Sequence, residues 1–342
     1  MKGFVKTVLS RPEITALVVM IVLGAIFFSN TPVFLSAGNW RVLFGIIPEL
    51  GLLALGVTIL MISGEFDLSV GSMFALGGML PVLLIQMGVD PWACLVIATL
   101  AGVSVGYINA SVTLTFGIPS FITTLGMMFV ARSVAVVISG GHMPVWHPDL
   151  PDKLFTGVIV QGGLFRASFV WYAGVAIVLG WMLHRTNFGN WIFATGAHVQ
   201  SARDMGINTR RVKTVCFIIC SVCATWAGIF SVMRSHMGLP NQGETFELQA
   251  IAASVIGGVA LFGGFGSILG PIVGTFIIRM LDSGLIMAGV GAGWFKFAIG
   301  VFLIAAVVFN LYLMRVGQGI RLAEQEEREA ESEDSNEPEK RS

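Results

Sequence analysis

Long apolar stretches separated by short polar breaks dominate the sequence. A helix that crosses the hydrocarbon core of a bilayer, about 30 Å thick, requires about 20 mostly apolar residues. Ten stretches reach or approach that length: residues 13–29, 43–63, 68–88, 91–115, 119–139, 168–184, 213–233, 247–262, 266–287 and 294–314. The pattern therefore predicts an all-α integral membrane protein with about ten transmembrane helices.

Two of the breaks between these stretches are very short. They cover residues 64–67 and 263–266, and each contains glycine and a phenylalanine. Each break is compatible with a tight hairpin between two helices. Each is equally compatible with the unwound middle of one broken helix, which membranes tolerate only inside protein or beside a cavity. The two alternatives leave the expected number of helices between eight and eleven.

The two breaks also share a short sequence pattern. G-x-F-x-x-x-x-G begins at Gly64 and recurs 199 residues later at Gly263, each time between an apolar run and a span rich in small residues. Repeats and helix breaks at matching positions are typical of transporters. The paired spans run in the same direction, so the pattern does not establish an inverted repeat.

Lysine and arginine predict the orientation, because cytoplasmic loops carry an excess of these residues. With a cytoplasmic N-terminus, 13 of the 20 basic residues fall in segment 1–12, in the loop 185–212 with the adjoining Lys213, or after residue 314. Four fall on the opposite side: Arg41, Lys153, Arg166 and Arg234. We therefore expect cytoplasmic N- and C-termini around a transmembrane domain at 13–315, with a periplasmic loop at 140–167.

Composition narrows the class of protein. Only 12% of the residues are charged and 55% are apolar, whereas a soluble domain carries about 25% charged residues. A nucleic-acid binder and a soluble enzyme are therefore disfavoured, and no nucleic-acid partner is expected. The net charge of zero combines nine acidic and four basic residues in segment 321–342 with a surplus of +5 elsewhere. We expect an acidic, disordered cytoplasmic tail at 316–342.

No pattern in the sequence is typical of a metal or nucleotide site. The four cysteines, Cys94, Cys216, Cys220 and Cys223, lie inside predicted spans, where cysteine packs as a small apolar residue. A G-x-x-x-x-G-K-[ST] loop for binding phosphates does not occur. We therefore expect no catalytic residue, no metal ligand and no cofactor bound by this chain.

The predicted cytoplasmic loop 185–212 carries the most specific signal. Val199, Ala202 and Arg203 can share one face of a one- or two-turn helix, and Gly206 would end that helix. A short helix with a small-residue face, exposed on the cytoplasmic side, is suited to seat in a groove of a partner protein.

Four segments resemble the permease subunits of bacterial ATP-binding-cassette (ABC) importers, in particular the ribose, xylose and autoinducer branch. The segment 194–207 has the form A-x-G-x-x-x-x-x-A-x-x-x-G-I of the coupling loop, and 67–72 matches D-L-S-V-G-S. Segment 117–126 contains I-P-[SA]-F-[IV]-x-T-L-G, and 247–270 matches the most recognisable stretch of the family. The resemblance covers about residues 10–315. His198 and Ser201 depart from the coupling pattern, which commonly has Asn and Ala there.

The resemblance implies a division of labour among several subunits. Two permease copies, as a homodimer or with a paralogue, would form the path through the lipid bilayer of the bacterial inner membrane. A cytoplasmic ABC ATPase would bind ATP and Mg, and a periplasmic sugar-binding protein would deliver a monosaccharide or polyol. The resemblance implies that the ATPase-coupling residues are Gly196, Ala202, Arg203, Asp204, Gly206 and Ile207.

Polar and aromatic residues inside the spans are candidates for the translocation pathway, because a polar group in the membrane is costly unless it is paired or hydrated. The candidates are Phe66, Asp67, Ser69, Asn109, Phe121, Thr124 and Arg132. Structural roles are the alternatives. Asp67 or Ser69 can cap the helix that follows, Asn109 can form an interhelical hydrogen bond, and Arg132 requires a partner.

An ion-coupled secondary transporter of a small polar solute is the alternative function. It would use intramembrane carboxylates as ion ligands, and Glu49 and Asp282 are the only plausible ones. Asp282 shares a helical face with Arg279, three residues earlier, so these two are expected to pair. The long coupling loop would also have no purpose in such a transporter. An importer permease for a small neutral solute accounts better for the sequence.

Overall fold

A computed structural model describes residues 12–146, 151–159, 163–291, 293–301, 304–305 and 308. Over these residues no strand occurs, and the two β-bridges are isolated ones. The helices are α1 (Pro12–Asn30), α2 (Ala37–Ile62), α3 (Val70–Gln86), α4 (Pro91–Phe116), α5 (Ser120–Ser139), α6 (Pro151–Phe155), α7 (Ala167–Arg185), α8 (Asn187–Ala197), α9 (Val199–Asp204), α10 (Thr209–Ser235), α11 (Phe246–Ile256) and α12 (Leu269–Met287). The all-α prediction is confirmed.

Seven of the described helices are long and apolar enough to cross a membrane, namely α1, α2, α4, α5, α7, α10 and α12. The shorter apolar helices α3 and α11 coincide with the predicted runs 68–88 and 247–262. The last predicted run, 294–314, is helical where it is described. The described part of the chain thus agrees with the predicted pattern of apolar helices. Residues 1–11 and the predicted tail at 316–342 lie outside it.

Helix α10 lies at the centre of the bundle, where it contacts α2, α3 and α4. It begins after Asn208, whose side chain accepts the Arg211 N–H at 3.0 Å, an N-cap that satisfies a free amide. Glycine lets α3 approach α10 closely, since a methyl group at Gly77 would lie 2.7 Å from the Cα of Thr225. Close approach of backbones holds membrane helices together, because lipid provides no hydrophobic force between them.

Three cysteines of α10 take part in this packing. Cys216, Cys220 and Cys223 are buried and free of disulfides. A methyl group at Gly56 of α2 would lie 2.9 Å from the Cβ of Cys223 and 3.0 Å from the Cα of Cys220. These contacts agree with the interpretation of the cysteines as small packing residues.

The first short break is a hairpin, because the chain reverses its direction along α10. Gly56 of α2 contacts the middle of α10, and Glu65, beyond the end of α2, pairs with Lys213 near the start of α10. After the break, Phe74 of α3 contacts Gly228, past the middle of α10. Helix α2 therefore runs toward the start of α10, and α3 runs back toward the end of α10.

The second short break is also a hairpin. A methyl group at Gly270 of α12 would lie 2.8 Å from the carbonyl carbon of Gly257, and one at Gly274 would lie 2.7 Å from that of Ala253. Later residues of α12 thus contact earlier residues of α11, which is the order found in an antiparallel pair. The hairpin alternative is confirmed for both breaks, and the broken-helix alternative is wrong.

Loops that are predicted to share a side of the membrane meet in the structure. At one end, the turns after α2 and α11 contact α8 in the predicted coupling loop. At the other end, Val145 forms a bridge with Met237, and the Asp152 Oδ2 lies 3.8 Å from the His236 Nδ1. The alternation of loops between two ends agrees with the predicted topology. The assignment of the first end to the cytoplasm stays a prediction from the basic residues.

Candidate functional site

Two short helices, α8 and α9, form the loop between α7 and α10. Helix α8 begins after Thr186, whose Oγ1 accepts the Gly189 N–H at 3.2 Å. Helix α9 begins after His198, whose Nδ1 accepts the Ser201 N–H at 3.3 Å. Gly206 follows α9 with a φ of 82°, a left-handed conformation that favours glycine. The predicted short helix, ended by Gly206, is therefore present.

The two residues that depart from the coupling pattern contact each other. The Ser201 Oγ lies 3.1 Å from the His198 Nδ1, in addition to the backbone hydrogen bond of the cap. The two departures therefore form one local arrangement at the start of α9.

The exposed face of α9 differs from the expected one. Ala202 is 0% exposed, because this small residue lies on the side of α9 that packs against α8 and α10. The outward side carries Arg203 and Asp204, and Met205 follows it with 69% of its surface exposed. The Arg203 Nε donates to the Thr209 Oγ1 at 3.0 Å. The surface that a partner can reach therefore carries two charged residues followed by an exposed methionine, and Ala202 packs inward against the bundle.

An open groove of about 910 Å³ lies beside α9. Its walls come from the end of α7, the start of α8, the residues after α9 and the start of α10. The lining residues are Met182, Thr186, Phe188, Trp191, Met205, Gly206, Ile207, Asn208, Arg211, Val212 and Val215. Gly206 and Ile207 were expected at a contact surface, whereas the aromatic residues Phe188 and Trp191 were not. Phe188 and Trp191 are three positions apart and can share one face of α8. This spacing is the signal in the sequence that could have identified them.

Gly196, the first predicted coupling residue, lies at a junction of three backbone segments. It contacts the end of α2 at Ile62 and the turn after α11 at Gly264. The Gly264 N–H donates to the Ile62 carbonyl at 2.9 Å. Close by, the Lys213 Nζ lies 2.5 Å from the Glu65 Oε1, with both side chains nearly buried. Sequence reasoning did not find this pair, because its members lie 148 positions apart.

Four of the pathway candidates form one hydrogen-bonded cluster inside the chain. The Asp67 Oδ1 accepts the Ser69 N–H at 2.7 Å and the Ser69 hydroxyl at 2.5 Å. The Asn109 Nδ2 donates to the Asp67 Oδ2 at 3.3 Å and to the Ser69 Oγ at 3.0 Å. The Leu68 N–H donates to the Thr124 Oγ1 at 3.0 Å. All five residues are buried.

This cluster has a structural explanation. The carboxylate of Asp67 lies at the N-terminus of α3, where the helix dipole and free amides stabilise a negative charge. Asn109 connects α4 to the same turn. Asp67 accepts the N–H and the hydroxyl of Ser69, the residue before the first turn of α3, and the side chain of Ser69 makes no capping hydrogen bond to α3. Asn109 hydrogen-bonds this turn from α4, as expected of a residue that links two elements. A contribution of these residues to the pathway wall stays a prediction.

The side chains of the remaining pathway candidates, Phe66, Phe121 and Arg132, make no hydrogen bond to this cluster. The Arg132 Nη1 donates to the Pro240 carbonyl at 2.9 Å and to the Gln242 carbonyl at 2.8 Å, and its Nη2 donates to the Gly71 carbonyl at 3.1 Å. The partner that Arg132 requires is thus a set of backbone carbonyls. Phe66 is partly buried, and Phe121 is 54% exposed.

Comparisons with known proteins identify the family. Residues 41–307 match the family described as the permease component of the branched-chain amino acid transport system. The chain belongs to this permease family. The prediction of an ABC importer permease, a transport subunit whose ATPase activity resides on a separate subunit, is confirmed at this level. The ion-coupled alternative is not supported.

Several relatives of the permease are named autoinducer 2 import system permease protein LsrC. The protein from Photorhabdus luminescens is 32% identical over 309 residues, which cover 89% of this chain and 91% of the relative. That from Escherichia coli strain HS is 32% identical over 310 residues, or 89% and 88% of the two chains. That from Salmonella typhi is 31% identical over 313 residues, or 89% and 87%. No solved structure matches the permease.

The ion pairs of Glu49 and Asp282 explain why ion coupling fits poorly. Glu49 forms an ion pair with Arg234, and the Asp282 Oδ2 lies 3.7 Å from the Arg279 Nη1, so the predicted pair is present. The guanidinium of Arg279 also lies 4.9 Å from the centre of the Phe246 ring. Both carboxylates that an ion-coupled transporter would use thus face arginines. No group of three or more His, Cys, Asp or Glu residues that could hold a metal occurs in the described segments.

Proposed function

We propose that this permease imports a small neutral solute, a monosaccharide or a polyol, across the bacterial inner membrane. A periplasmic binding protein delivers the solute, a cytoplasmic ATPase drives its passage, and a second permease copy completes the path. The family assignment supports the class of machine, and the autoinducer 2 relatives support the class of solute. The ion pairs of Glu49 and Asp282 also favour an uncharged solute, because they leave little net charge among these buried groups.

The arrangement of α8 and α9 carries the proposal of ATP-driven coupling. Arg203 and Asp204 lie on the outward side of α9, where a cytoplasmic partner can reach them. Gly206 and Ile207 line the groove beside it. Gly196 and Ala202 face inward and connect the loop to the bundle. The six predicted coupling residues thus divide into an outer set for ATPase contact and an inner set for transmission.

Reconstitution tests the proposed function directly. The permease is inserted into proteoliposomes with the ATPase and the binding protein encoded by neighbouring genes, and uptake of labelled solutes is measured. We expect uptake of a monosaccharide or polyol that requires hydrolysable ATP and all three proteins.

The solute panel includes leucine, isoleucine and valine, because the family description names branched-chain amino acids. ATP-driven uptake of these amino acids alone would contradict the proposed substrate class. Uptake that follows an ion gradient without the ATPase would contradict the proposed mechanism.

A further inference from the structure

Three backbone segments from distant parts of the chain meet at one point without side chains between them. The segments are residues 62–64 at the end of α2, Gly196 in α8, and residues 263–264 after α11. A methyl group at Gly196 would lie 2.7 Å from the Gly264 nitrogen and closer still to the Ile62 carbonyl oxygen. One at Gly263 would lie 2.8 Å from the Gly64 Cα. We name this contact the glycine junction.

The glycine junction requires glycine for its backbone conformation as well as for space. Gly64, Gly263 and Gly264 have φ values of 86°, 85° and 76°, which lie in the left-handed region that side chains disfavour. Gly64 and Gly263 are also the first residues of the two copies of the G-x-F-x-x-x-x-G pattern. The repeated pattern therefore has a physical counterpart, since its two equivalent residues contact each other.

Each segment of the junction belongs to a different element of the fold. Residues 62–64 lie where α2 ends and the turn of the α2–α3 hairpin begins, and residues 263–264 lie in the turn of the α11–α12 hairpin. Gly196 belongs to the coupling loop. The hydrogen bond from the Gly264 N–H to the Ile62 carbonyl, at 2.9 Å, links the two hairpins directly. Both hairpins therefore touch the coupling loop at the same place.

A second, independent contact holds the other end of the coupling loop. Lys213, in the first turns of α10, forms its ion pair with Glu65 of the α2–α3 turn at 2.5 Å. The side chains of Lys213 and Glu65 are 11% and 12% exposed, so solvent screens this pair less than it screens a surface pair. The loop is thus attached to the α2–α3 hairpin before α9, through Gly196, and after it, through Lys213.

We propose that the glycine junction and the Glu65–Lys213 pair position both hairpins relative to the coupling loop, so that one displacement of the loop reaches the two hairpins together. This inference rests on the proposed function, since it needs a loop that ATP-driven motion displaces. Tightly packed contacts shift between discrete arrangements and do not deform continuously. In the glycine junction backbone atoms meet directly, so no flexible side chain can absorb a displacement. Such a contact is suited to transmit a shift.

The test compares Gly196→Ala with Gly180→Ala in the reconstituted importer. Gly180 lies in the neighbouring helix α7, where a methyl group would meet Ile268 at an ordinary 3.8 Å. Co-purification with the ATPase, ATP hydrolysis and solute uptake are measured for each variant. We expect Gly196→Ala to assemble and hydrolyse ATP like Gly180→Ala, while uptake per ATP falls about ten-fold, as for the loss of an allosteric coupling.

A charge exchange tests the same proposal without crowding the backbone. Glu65→Lys and Lys213→Glu, made singly, should each lower uptake per ATP. The double variant should restore it, because the ion pair is re-formed in reverse. This measurement decides the matter if Gly196→Ala fails to fold.

The outcomes separate the inference from the proposed function. Wild-type uptake that is independent of the ATPase would overturn both. ATP-driven wild-type uptake with Gly196→Ala as efficient as Gly180→Ala would overturn the junction alone. Equal losses of uptake and ATP hydrolysis, with no recovery in the double charge exchange, would indicate a purely structural contact and would also overturn it.

Discussion

Two polar side chains of this bundle, those of Arg132 and Asn109, obtain their partners from turns and loops. Arg132 of α5 binds carbonyls of Pro240 and Gln242, more than 100 positions away, and Asn109 of α4 binds the turn before α3. A buried polar group without a partner costs about 1–3 kcal/mol, so each of these contacts fixes a loop against a helix. At the scale of single residues, the polar groups therefore hold the irregular segments in place.

The Asp67→Asn variant tests this role. An amide nitrogen in place of the Asp67 Oδ2 would face the Asn109 Nδ2, and two donors would oppose each other. We expect a loss of stability of about 1–3 kcal/mol, measured as a lower apparent Tm in detergent.

Asp90→Asn is the matched control for this variant. Asp90 caps α4 at an exposed position by accepting the Trp92 and Ala93 N–H groups, and Asn caps helices as well as Asp. The Tm of Asp90→Asn should stay close to that of the wild type. Equal Tm values for the two variants would contradict the account of Asp67.

At the scale of elements, α9 is a helix of six residues with opposite requirements on its two sides. Its inner side must be small, because Ala202 packs fully buried against α8 and α10. Its outer side carries the exposed residues Gln200, Arg203 and Asp204, which a partner can contact. Packing against α8 and α10 therefore fixes the orientation of α9, and a partner contacts its outer side.

Ala202→Leu should uncouple ATP hydrolysis from uptake. Inserting the larger side chain into a packed site costs about 1–3 kcal/mol, and α9 can relieve the clash by moving outward from α8 and α10. Ala202→Gly keeps the inner side of α9 small and should leave uptake per ATP close to that of the wild type. Uptake and ATP hydrolysis in proteoliposomes measure the effect, and wild-type uptake per ATP in Ala202→Leu would refute it.

Particular elements show how far the sequence alone determines this fold. The apolar runs predicted the helices to within a few residues at most ends. Almost every residue of a membrane span must be apolar, so the length of the run marks the length of the helix. The breaks at 64–67 and 263–266 could not be interpreted from their own residues. Hairpin and broken helix require the same glycines, and contacts along α10 and between α11 and α12 decide between them.

The candidate site shows a similar division. Gly206 was expected to end α9 and does so, since a left-handed conformation is a local property. The inward side of Ala202, the carbonyl partners of Arg132 and the Glu65–Lys213 pair depend on residues far along the chain. A local pattern holds no information about such contacts.

At the scale of the whole molecule, the fold has two loop-bearing ends, and the basic residues assign the end that carries α8 and α9 to the cytoplasm. Green fluorescent protein fused after Ser342 should therefore fluoresce, whereas alkaline phosphatase at that position should be inactive. Both reporters inserted after Gly141 should give the opposite results, because that loop is expected in the periplasm. An active phosphatase at the C-terminus would reverse the proposed orientation.

The contact between His198 and Ser201 has a consequence for exchanging parts between related importers. His198 and Ser201 contact each other at the start of α9, so transplanting either residue alone would remove the contact between their side chains. A loop graft from a relative should therefore carry both positions together. In chimeric permeases built in this way, the outer surface of α9 and the groove beside it would then determine whether a foreign ATPase binds.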